Sequence, residues 1–421
     1  MLVDFVVKNF GPFKDEAILT MTAQKGTEHP ENYVGTNAAG NVLTSAAIFG
    51  PNAAGKTYLF EALGCLQRMI ISPGPPNAPI VTYFPFRLSK DTKEAPIKMN
   101  IRFITDGVLY DYHILYDRQA ILEERLFHYP NGKKAEVFTR AGGKLEFGRS
   151  ARGQSAISKL MSPNTTCVFT AAQFNNEICR KVHNWFLNSL VVLADYREEA
   201  VENILLQNFV DRINKDENLK KRVMNAMRVA DFAITDIHGT VKKRKVQDIP
   251  GISPQAKALM PVADAEEIFE TELFLTHDVG DDSLTAADRT FPLGIESAGT
   301  IRFISIISLI LDALTEGATI VIDEFGQKLH SRLSRWIVEQ FCDRSRNTGG
   351  GQFIFNTNSN HLMDQDILRR DQIYLVDKNE RGESELFSIS DFGERKDRVI
   401  LASYMDGKYG AVPFIDEGTP L

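Results

Sequence analysis

The order of apolar and polar residues changes character several times along the chain. Residues 2–7 alternate between apolar and polar, and residues 79–147 do so again with turns at Asp106-Gly107 and Asn131-Gly132, which predicts antiparallel hairpins. From residue 152 to 231 the apolar positions recur at helical spacing, so this stretch is predicted to be helical. Apolar heptads are not sustained, and we therefore expect no long coiled coil.

Three short, mainly apolar runs differ from these patterns because each is followed directly by a glycine loop or by polar residues. They cover residues 46–49, 319–322 and 352–355. Strands buried in a parallel sheet have nearly continuous apolar sequences, and their carboxyl ends form the edge at which open α/β sheets bind ligands. An apolar helix is predicted from residue 300 to 314. The pattern favours an α/β fold with a ligand site where the three runs end.

A complete phosphate-loop pattern, G-x-x-x-x-G-K-[ST], follows the first run and precedes an amphipathic stretch. The two glycines let backbone N–H groups close around a phosphate at a helix N-terminus. Lys56 would then reach the β- and γ-phosphate oxygens, and the Thr57 hydroxyl would bind Mg²⁺. The alternative is a glycine turn that happens to precede a helix. The predicted nucleotide-binding residues are Gly50, Pro51, Asn52, Ala53, Ala54, Gly55, Lys56 and Thr57.

Polar side chains at the ends of the second and third runs predict the rest of the site. Asp323 is expected to hold Mg²⁺, and Glu324 to orient and deprotonate the attacking water. Because neighbouring side chains on a strand point to opposite faces, we expect the two acids to have separate roles. The alternative is a buried strand that ends in a solvated acidic turn. Residues 356–361 indicate a γ-phosphate sensor at Thr357 or Asn358, or else a helix-capping loop.

The composition, with 43% hydrophobic and 24% charged residues among 421, is ordinary for a soluble globular protein. A formal net charge of −7 means that any contact with nucleic acid would need a local basic patch. Residues 242–245, Lys-Lys-Arg-Lys, are either such a patch or a solvated strand or loop. The four cysteines lie far apart and suggest neither a zinc site nor a disulfide framework. We expect a cytoplasmic protein that does not cross a membrane.

With these motifs in place, the chain resembles the ABC-type ATPases of the SMC, Rad50 and RecF group, and in particular the bacterial AAA15 or RloA-like ATP-binding proteins. The resemblance covers nearly the whole chain and implies a two-lobed ATPase head, with a phosphate-loop mixed sheet, an antiparallel β lobe and a helical insertion. We expect the N-terminal lobe at residues 1–150, the helical insertion at 151–250 and the C-terminal lobe at 251–421. The shared motifs are residues 9–13, 50–57, 83–87, 296–300, 323–324 with 329–330, 355–358 and 408–413.

The resemblance also implies an ATP site that is completed by a second protomer. Residues 296–300 stand where the family has its signature motif, so Ser297, Gly299 and Thr300 would contact the γ-phosphate of ATP bound to the partner. By motif alone, a plain helix cap is the favoured interpretation of Ser297. Asn358 stands where similar proteins usually carry a switch histidine. Because asparagine donates a hydrogen bond but does not take up a proton, we expect slow hydrolysis with Asn358 in this catalytic position.

Three functions are compatible with these features. The first is a switch ATPase whose ATP-bound dimer or ring controls a separately encoded effector, such as a nuclease or toxin, in anti-phage defence. The second is a RecF-like DNA-binding repair ATPase, which residues 242–245 would serve. The third is a scaffold that binds ATP without cleaving it, and the presence of Glu324 argues against it. We expect no nuclease domain after Glu324, because the sensor strand and its continuation use most of the remaining residues.

Overall fold

Strands dominate the computed structural model, which describes residues 1–26, 28–149, 155–194, 199–230, 232–244, 268–280, 283–393 and 399–413. In chain order the strands are β1 Leu2–Lys8, β2 Ala17–Thr20, β3 Tyr33–Thr36, β4 Gly40–Leu43, β5 Ser45–Phe49, β6 Ile97–Thr105, β7 Val108–Tyr116, β8 Ile121–His128, β9 Ala135–Ala141, β10 Lys144–Phe147, β11 Leu190–Leu193, β12 Ile234–Arg244, β13 Ile268–His277, β14 Thr290–Pro292, β15 Thr319–Ile322, β16 Gln352–Asn356, β17 Ile373–Lys378 and β18 Ser384–Ser388. The helices are α1 Lys56–Ile71, α2 Cys167–Gln173, α3 Glu177–Asn184, α4 Glu199–Ile213, α5 Glu217–Val229, α6 Ala298–Glu316, α7 Ser331–Cys342 and α8 Ile400–Met405.

The three apolar runs form neighbouring strands of one sheet. This sheet has six strands in the order β11-β15-β16-β5-β17-β18. The first five are parallel, and β18 is antiparallel to β17. Every residue of β5, β15 and β16 is buried, as expected for strands covered on both faces. Because β16 lies between β5 and β15, the carboxyl ends of the three strands lie side by side.

The alternating segments form a second sheet, which is antiparallel. Its seven strands have the order β10-β9-β8-β7-β6-β1-β2. The two-residue turn between β6 and β7 has positive φ at both Asp106 and Gly107, with values of 51° and 71°. Such angles match the right-handed twist of the strands that the turn connects. The predicted run of antiparallel hairpins is therefore confirmed.

Apolar side chains from both sheets form one core with helix α1. Phe5 and Phe103 belong to the antiparallel sheet, Ile48 and Ile354 to the parallel sheet, and Leu63 to α1. Each of these side chains is at most 1% exposed. Full burial of a side chain of this size contributes about 1.5–3 kcal/mol to folding. The core thus anchors α1, whose first residue is Lys56, against both sheets.

One strand lies where the sequence predicted a mainly helical stretch. The region 152–231 contains α2, α3, α4 and α5, but Leu190–Leu193 forms β11 and pairs in parallel with β15. The prediction was wrong here because four apolar residues are too few to show a helical or an alternating period. Pairing with a buried neighbour decided the conformation of this run.

The chain divides into two compact units, of which the first comprises residues 1–195, 312–327 and 334–421 and contains both large sheets. The second comprises residues 196–311 and 328–333. In the second unit, α4 and α5 pack on a small antiparallel sheet of β12, β13 and β14. The basic residues 242–244 end strand β12, and Lys245 lies outside the described residues. The predicted division at residues 150 and 250 concerns lobes rather than compact units and stays a prediction.

The fold class predicted from the sequence is confirmed. The protein is α/β, with a mixed sheet that carries the phosphate loop, an antiparallel β lobe and additional helices. The longest described helix is α6, with 19 residues, so the described part of the chain contains no long coiled coil. By length and composition alone, α6 is also the one described helix that could cross a membrane. Most of its apolar stretch is buried within the protein, as in the core helix of a soluble domain.

Candidate nucleotide-binding site

The phosphate-loop residues form a tight loop between β5 and α1. Gly50 and Gly55 have φ values of 146° and 115°, which side-chain-bearing residues rarely adopt. The backbone of Ala53 is also in the left-handed region, with φ of 62°. Lys56 is the first residue of α1, and Gly55 caps the helix. The N-terminal N–H groups of α1 have no partner within the helix, so this end is suited to an anion.

Close packing explains why the second glycine of the loop is needed. A β-carbon on Gly55 would lie 2.8 Å from Pro12 Cγ and 2.9 Å from Ser384 Oγ. Ser384, the first residue of β18, donates its hydroxyl to the Ala54 carbonyl and its N–H to the Pro12 carbonyl at 2.8 Å. The loop is therefore held from outside by an N-terminal segment and by β18. No motif in the sequence indicated the role of Ser384.

The Lys56 side chain is folded into the loop that precedes it. Its ammonium donates to the Gly50 carbonyl at 2.7 Å and to the Pro51 carbonyl at 3.0 Å. Burial lowers the pKa of Lys56, and attraction to the carboxylates of Asp323 and Glu324 opposes this shift. Two carbonyl oxygens are weak partners for a buried cation compared with a charged phosphate oxygen. The lysine is thus placed to exchange these carbonyls for a phosphate.

The structure brings Thr57 and Asp323 together. The Thr57 hydroxyl lies 3.0 and 3.1 Å from the two carboxylate oxygens of Asp323. Asp323 is 2% exposed and follows the last residue of β15. A hydroxyl and a carboxylate supply the hard oxygen ligands that Mg²⁺ prefers. These residues therefore fit a magnesium ion beside the phosphate loop.

The side chains of Glu324 and Asp323 diverge because the backbone turns after β15, and not because they alternate along a strand. Strand β15 ends at Ile322, so neither acid belongs to it. Glu324 has φ of 52°, a left-handed conformation that is uncommon for glutamate. Its N–H donates to Asn356 Oδ1 at 2.7 Å. The expectation that the acids alternate along a strand was wrong, although their side chains do lie in different surroundings, one buried and one half-exposed.

The polar cluster after β16 contains residues with different surroundings. Thr357 is buried, and its hydroxyl donates to the Phe325 carbonyl at 2.7 Å. Its N–H donates to the Ile48 carbonyl at 3.1 Å. The side chain of Asn358 is exposed. Of the two predicted sensor positions, Thr357 is engaged in tying β16 to the turn after β15, and Asn358 faces solvent.

Asn356 contacts both acids and was not among the residues predicted for the site. Its side-chain amide donates to Asp323 Oδ1 and accepts the Glu324 N–H. The sequence places it 33 residues from Asp323. Only the order of strands in the sheet brings the two together, and that order is not visible in a single sequence.

The predicted signature residues belong to the second compact unit, at the start of α6. Ser297 is exposed, and its hydroxyl accepts the Thr300 N–H at 3.1 Å, as a helix cap does. A β-carbon on Gly299 would come within 2.7 Å of the Lys328 carbonyl in the same unit. Both the cap and the close packing are present in this unit, and a contact with the phosphate of a partner's ATP stays a prediction.

Comparison with known proteins gives one family match. A family model described as "AAA domain, putative AbiEii toxin, Type IV TA system" matches residues 45–147 and 224–364, together more than half of the chain. These ranges contain every residue predicted for the site. No curated protein matches the chain.

Two solved structures are among those similar to the chain. One is described as "SMC head domain from Thermotoga maritima", at 12% identity and a TM-score of 0.41 over 92% of this chain and 98% of that chain. The other is "Structure of the recombination mediator protein RecF-ATP in RecFOR pathway", at 14% identity and a TM-score of 0.29 over 92% of this chain and 97% of that chain.

Proposed function

Because this chain belongs to the AbiEii-type AAA-domain family, we propose that it is an ABC-type switch ATPase that binds ATP, hydrolyses it slowly and controls a separate effector protein. One observation carries the proposal. Thr57 at the start of α1 and Asp323 at the end of β15 are 266 residues apart in sequence, yet they share hydrogen bonds beside a glycine loop. This is the arrangement that a magnesium-bound triphosphate requires.

Phosphate binding is assigned to the loop and to Lys56. The N–H groups of residues 50–57 would surround the β-phosphate, where the dipole of α1 favours negative charge. The Lys56 ammonium would move from the Gly50 and Pro51 carbonyls to the β- and γ-phosphate oxygens. It gains a charged partner while it stays buried, which makes the exchange favourable.

Hydrolysis is assigned to the residues after β15. Thr57 and Asp323 would hold Mg²⁺, which when bound neutralises charge on the phosphate oxygens. Glu324 would accept a proton from the attacking water. The amide of Asn358 would donate a hydrogen bond to the γ-phosphate, but an amide does not take up a proton. We therefore expect slow turnover and a long-lived ATP state.

A second copy of the chain is proposed to complete the site. Ser297, Gly299 and Thr300 would contact the γ-phosphate of ATP bound to the partner subunit. Ser297 is exposed at the start of the 19-residue helix α6, which supports this assignment because the helix dipole favours an anion at its N-terminal end. ATP would thus assemble a homodimer or a larger ring.

The biological setting is proposed from the family. The family description names a toxin of a type IV toxin–antitoxin system, which supports a role in bacterial defence. We place the chain with the AAA15 or RloA-like proteins, in the cytoplasm, beside a separately encoded effector such as a nuclease or toxin. Loading with ATP would hold the effector, and hydrolysis would change that contact.

Three proteins test the proposal: wild type, Lys56→Ala and Glu324→Gln. We expect wild type to bind ATP with Mg²⁺ in calorimetry, Lys56→Ala to lose binding, and Glu324→Gln to bind ATP but turn it over at least about 100-fold more slowly. Light scattering should show a larger assembly for Glu324→Gln with ATP than without. Equal ATP binding by wild type and Lys56→Ala would end the proposal.

The partner that Glu324→Gln retains in the presence of ATP distinguishes effector control from the RecF-like alternative. A companion protein that copurifies with Glu324→Gln in ATP supports effector control. A salt-dependent shift of DNA mobility that disappears when residues 242–245 are neutralised would favour the DNA-binding alternative instead.

A further inference from the structure

A single buried amide joins the two acids of the site. Asn356, the last residue of β16, is 1% exposed. Its Nδ2 donates to Asp323 Oδ1, and its Oδ1 accepts the Glu324 N–H at 2.7 Å. Its backbone carbonyl also accepts the Phe325 N–H at 2.9 Å. One residue therefore contacts three consecutive positions of the turn that follows β15.

Only one orientation of this amide is chemically acceptable. A rotation that exchanged Oδ1 and Nδ2 would set an oxygen against the Asp323 carboxylate and an amino group against the Glu324 N–H. Both contacts would be repulsive in a buried site, where an unmet polar group costs about 1–3 kcal/mol. The two partners thus fix the amide, and the fixed amide in turn restrains both partners.

The restraint acts on the parts of each acid that decide its chemistry. The bond from Nδ2 to Asp323 Oδ1 sets the rotation of the carboxylate, whose second oxygen also lies 3.1 Å from Thr57 Oγ1. The bond to the Glu324 N–H holds that residue in its left-handed conformation, with φ of 52°. A non-glycine residue keeps such a conformation only when its surroundings enforce it.

We infer that Asn356 is a positioning residue, which sets the Asp323 carboxylate toward the metal and the Glu324 side chain toward the attacking water. The inference rests on the proposed function. Asn356 touches neither nucleotide nor water in this role, so its removal should leave phosphate binding intact and weaken the contribution of the metal. Partners of this kind commonly change metal affinity or activity about 10–100-fold.

The test compares Asn356→Ala and Asn356→Ser with Asn347→Ala. Asn347 is a matched control because it is also buried and lies shortly before the start of β16. Its side chain makes three hydrogen bonds, one with Phe341 and two with Gly351. Serine serves as the second Asn356 variant because a hydroxyl can still satisfy one buried partner but is too short to reach both. Thermal unfolding reports how much stability each variant loses.

The decisive measurement is the ratio of ATP dissociation constants in EDTA and in Mg²⁺, together with kcat and KM. For both Asn356 variants we expect wild-type affinity in EDTA, a smaller gain in affinity from Mg²⁺, and kcat lowered about 10–100-fold with little change in KM. Asn347→Ala should keep the wild-type ratio even where it unfolds at a lower temperature.

Two results would overturn the inference in different ways. If both Asn356 variants show the ratio and kcat of Asn347→Ala, the residue is structural only and the inference alone fails. If wild type binds no ATP in either buffer, the proposed function fails and the inference falls with it.

Discussion

The carbonyl oxygen of Val376 lies directly against Gly50, so a β-carbon on that glycine would come within 2.2 Å of it. Val376 belongs to β17, which pairs in parallel with β5, the strand that leads into the phosphate loop. Gly50 also has φ of 146°. The first glycine of the motif therefore serves the packing of the sheet in addition to its proposed role in the approach of a phosphate.

From this contact we predict that Gly50→Ala both destabilises the protein and removes ATP binding. The added methyl group must displace a backbone carbonyl within a buried sheet, and the alanine must adopt an unfavourable φ. Together these effects cost about 2 kcal/mol or more. Thermal unfolding and calorimetry measure the two effects. Gly74→Ala is the control, because a β-carbon there meets no atom within 4 Å. Wild-type ATP affinity in Gly50→Ala would contradict the prediction.

The parts of the site that were predictable from sequence are those that depend on local order. Gly50, Gly55 and Lys56 lie within one short motif, and the angles that such a loop needs restrict the residues at its ends. Asp323 was predictable for a similar reason, since an apolar strand that ends in an acid delivers that acid to the sheet edge. In these cases the residues just before and after each position, rather than a distant partner, indicated its place in the fold.

The parts that were missed depend on which strands lie next to each other. Asn356 contacts Asp323 because β16 lies between β5 and β15, and Ser384 contacts Ala54 because β18 pairs beyond β17. The strand Leu190–Leu193 formed for the same reason, by pairing with β15. No periodicity within a segment records its partner in a sheet, so these contacts required the structure.

Asn358 gives a prediction about rate. Its side chain is exposed just after β16, in the position where the family resemblance places a switch histidine. We expect Asn358→His to raise ATP turnover at least about tenfold, because imidazole can take up a proton near neutral pH and an amide does not. Steady-state phosphate release measures the change. Asn360→His, two residues further on, should leave turnover unaltered, and an equal rate in both variants would refute the assignment.

Glu124 is a buried carboxylate at the N-terminus of α2. It is fully buried and accepts the Cys167 N–H at 2.7 Å, the Val168 N–H at 3.3 Å and the Tyr112 hydroxyl at 2.9 Å. Burial raises the pKa of Glu124, while attraction to Arg140 and the hydrogen bonds to its carboxylate oppose the shift. The folded state therefore holds this proton more tightly than the unfolded state does.

The raised pKa of Glu124 predicts a pH-dependent stability difference from Glu124→Gln. The contribution of the carboxyl group is fully present below the unfolded pKa, near 4.3, and is lost as pH rises through the folded value. The unfolding temperature of wild type relative to Glu124→Gln should therefore fall as pH rises above about 4. Glu123→Gln, an exposed neighbour on the same strand, should show no such trend. A difference that grows with pH would reverse the assigned direction.

Gln352 connects the two large sheets through one side chain. Its amide donates to the carbonyls of Leu2 and Leu43, each at 2.9 Å, and accepts from the Leu2 N–H and, at 2.8 Å, from the Thr319 hydroxyl. Leu2 lies in β1 of the antiparallel sheet, whereas Gln352 and Thr319 begin neighbouring strands of the parallel sheet. All four hydrogen-bonding positions of the amide are thus used between elements that carry the site.

We predict that Gln352→Leu lowers the free energy of unfolding by about 3–5 kcal/mol, although leucine is apolar and of similar volume. The substitution leaves several buried polar groups without this partner, and each such group costs about 1–3 kcal/mol. Urea unfolding measures the loss, and Gln119→Leu in an exposed turn should change stability by no more than about 0.5 kcal/mol. Equal stability of the two variants would mean that apolar packing alone holds the sheets together. A loss confined to Gln352→Leu would show that this amide fixes the antiparallel sheet to the strands from which Asp323 and Asn356 extend.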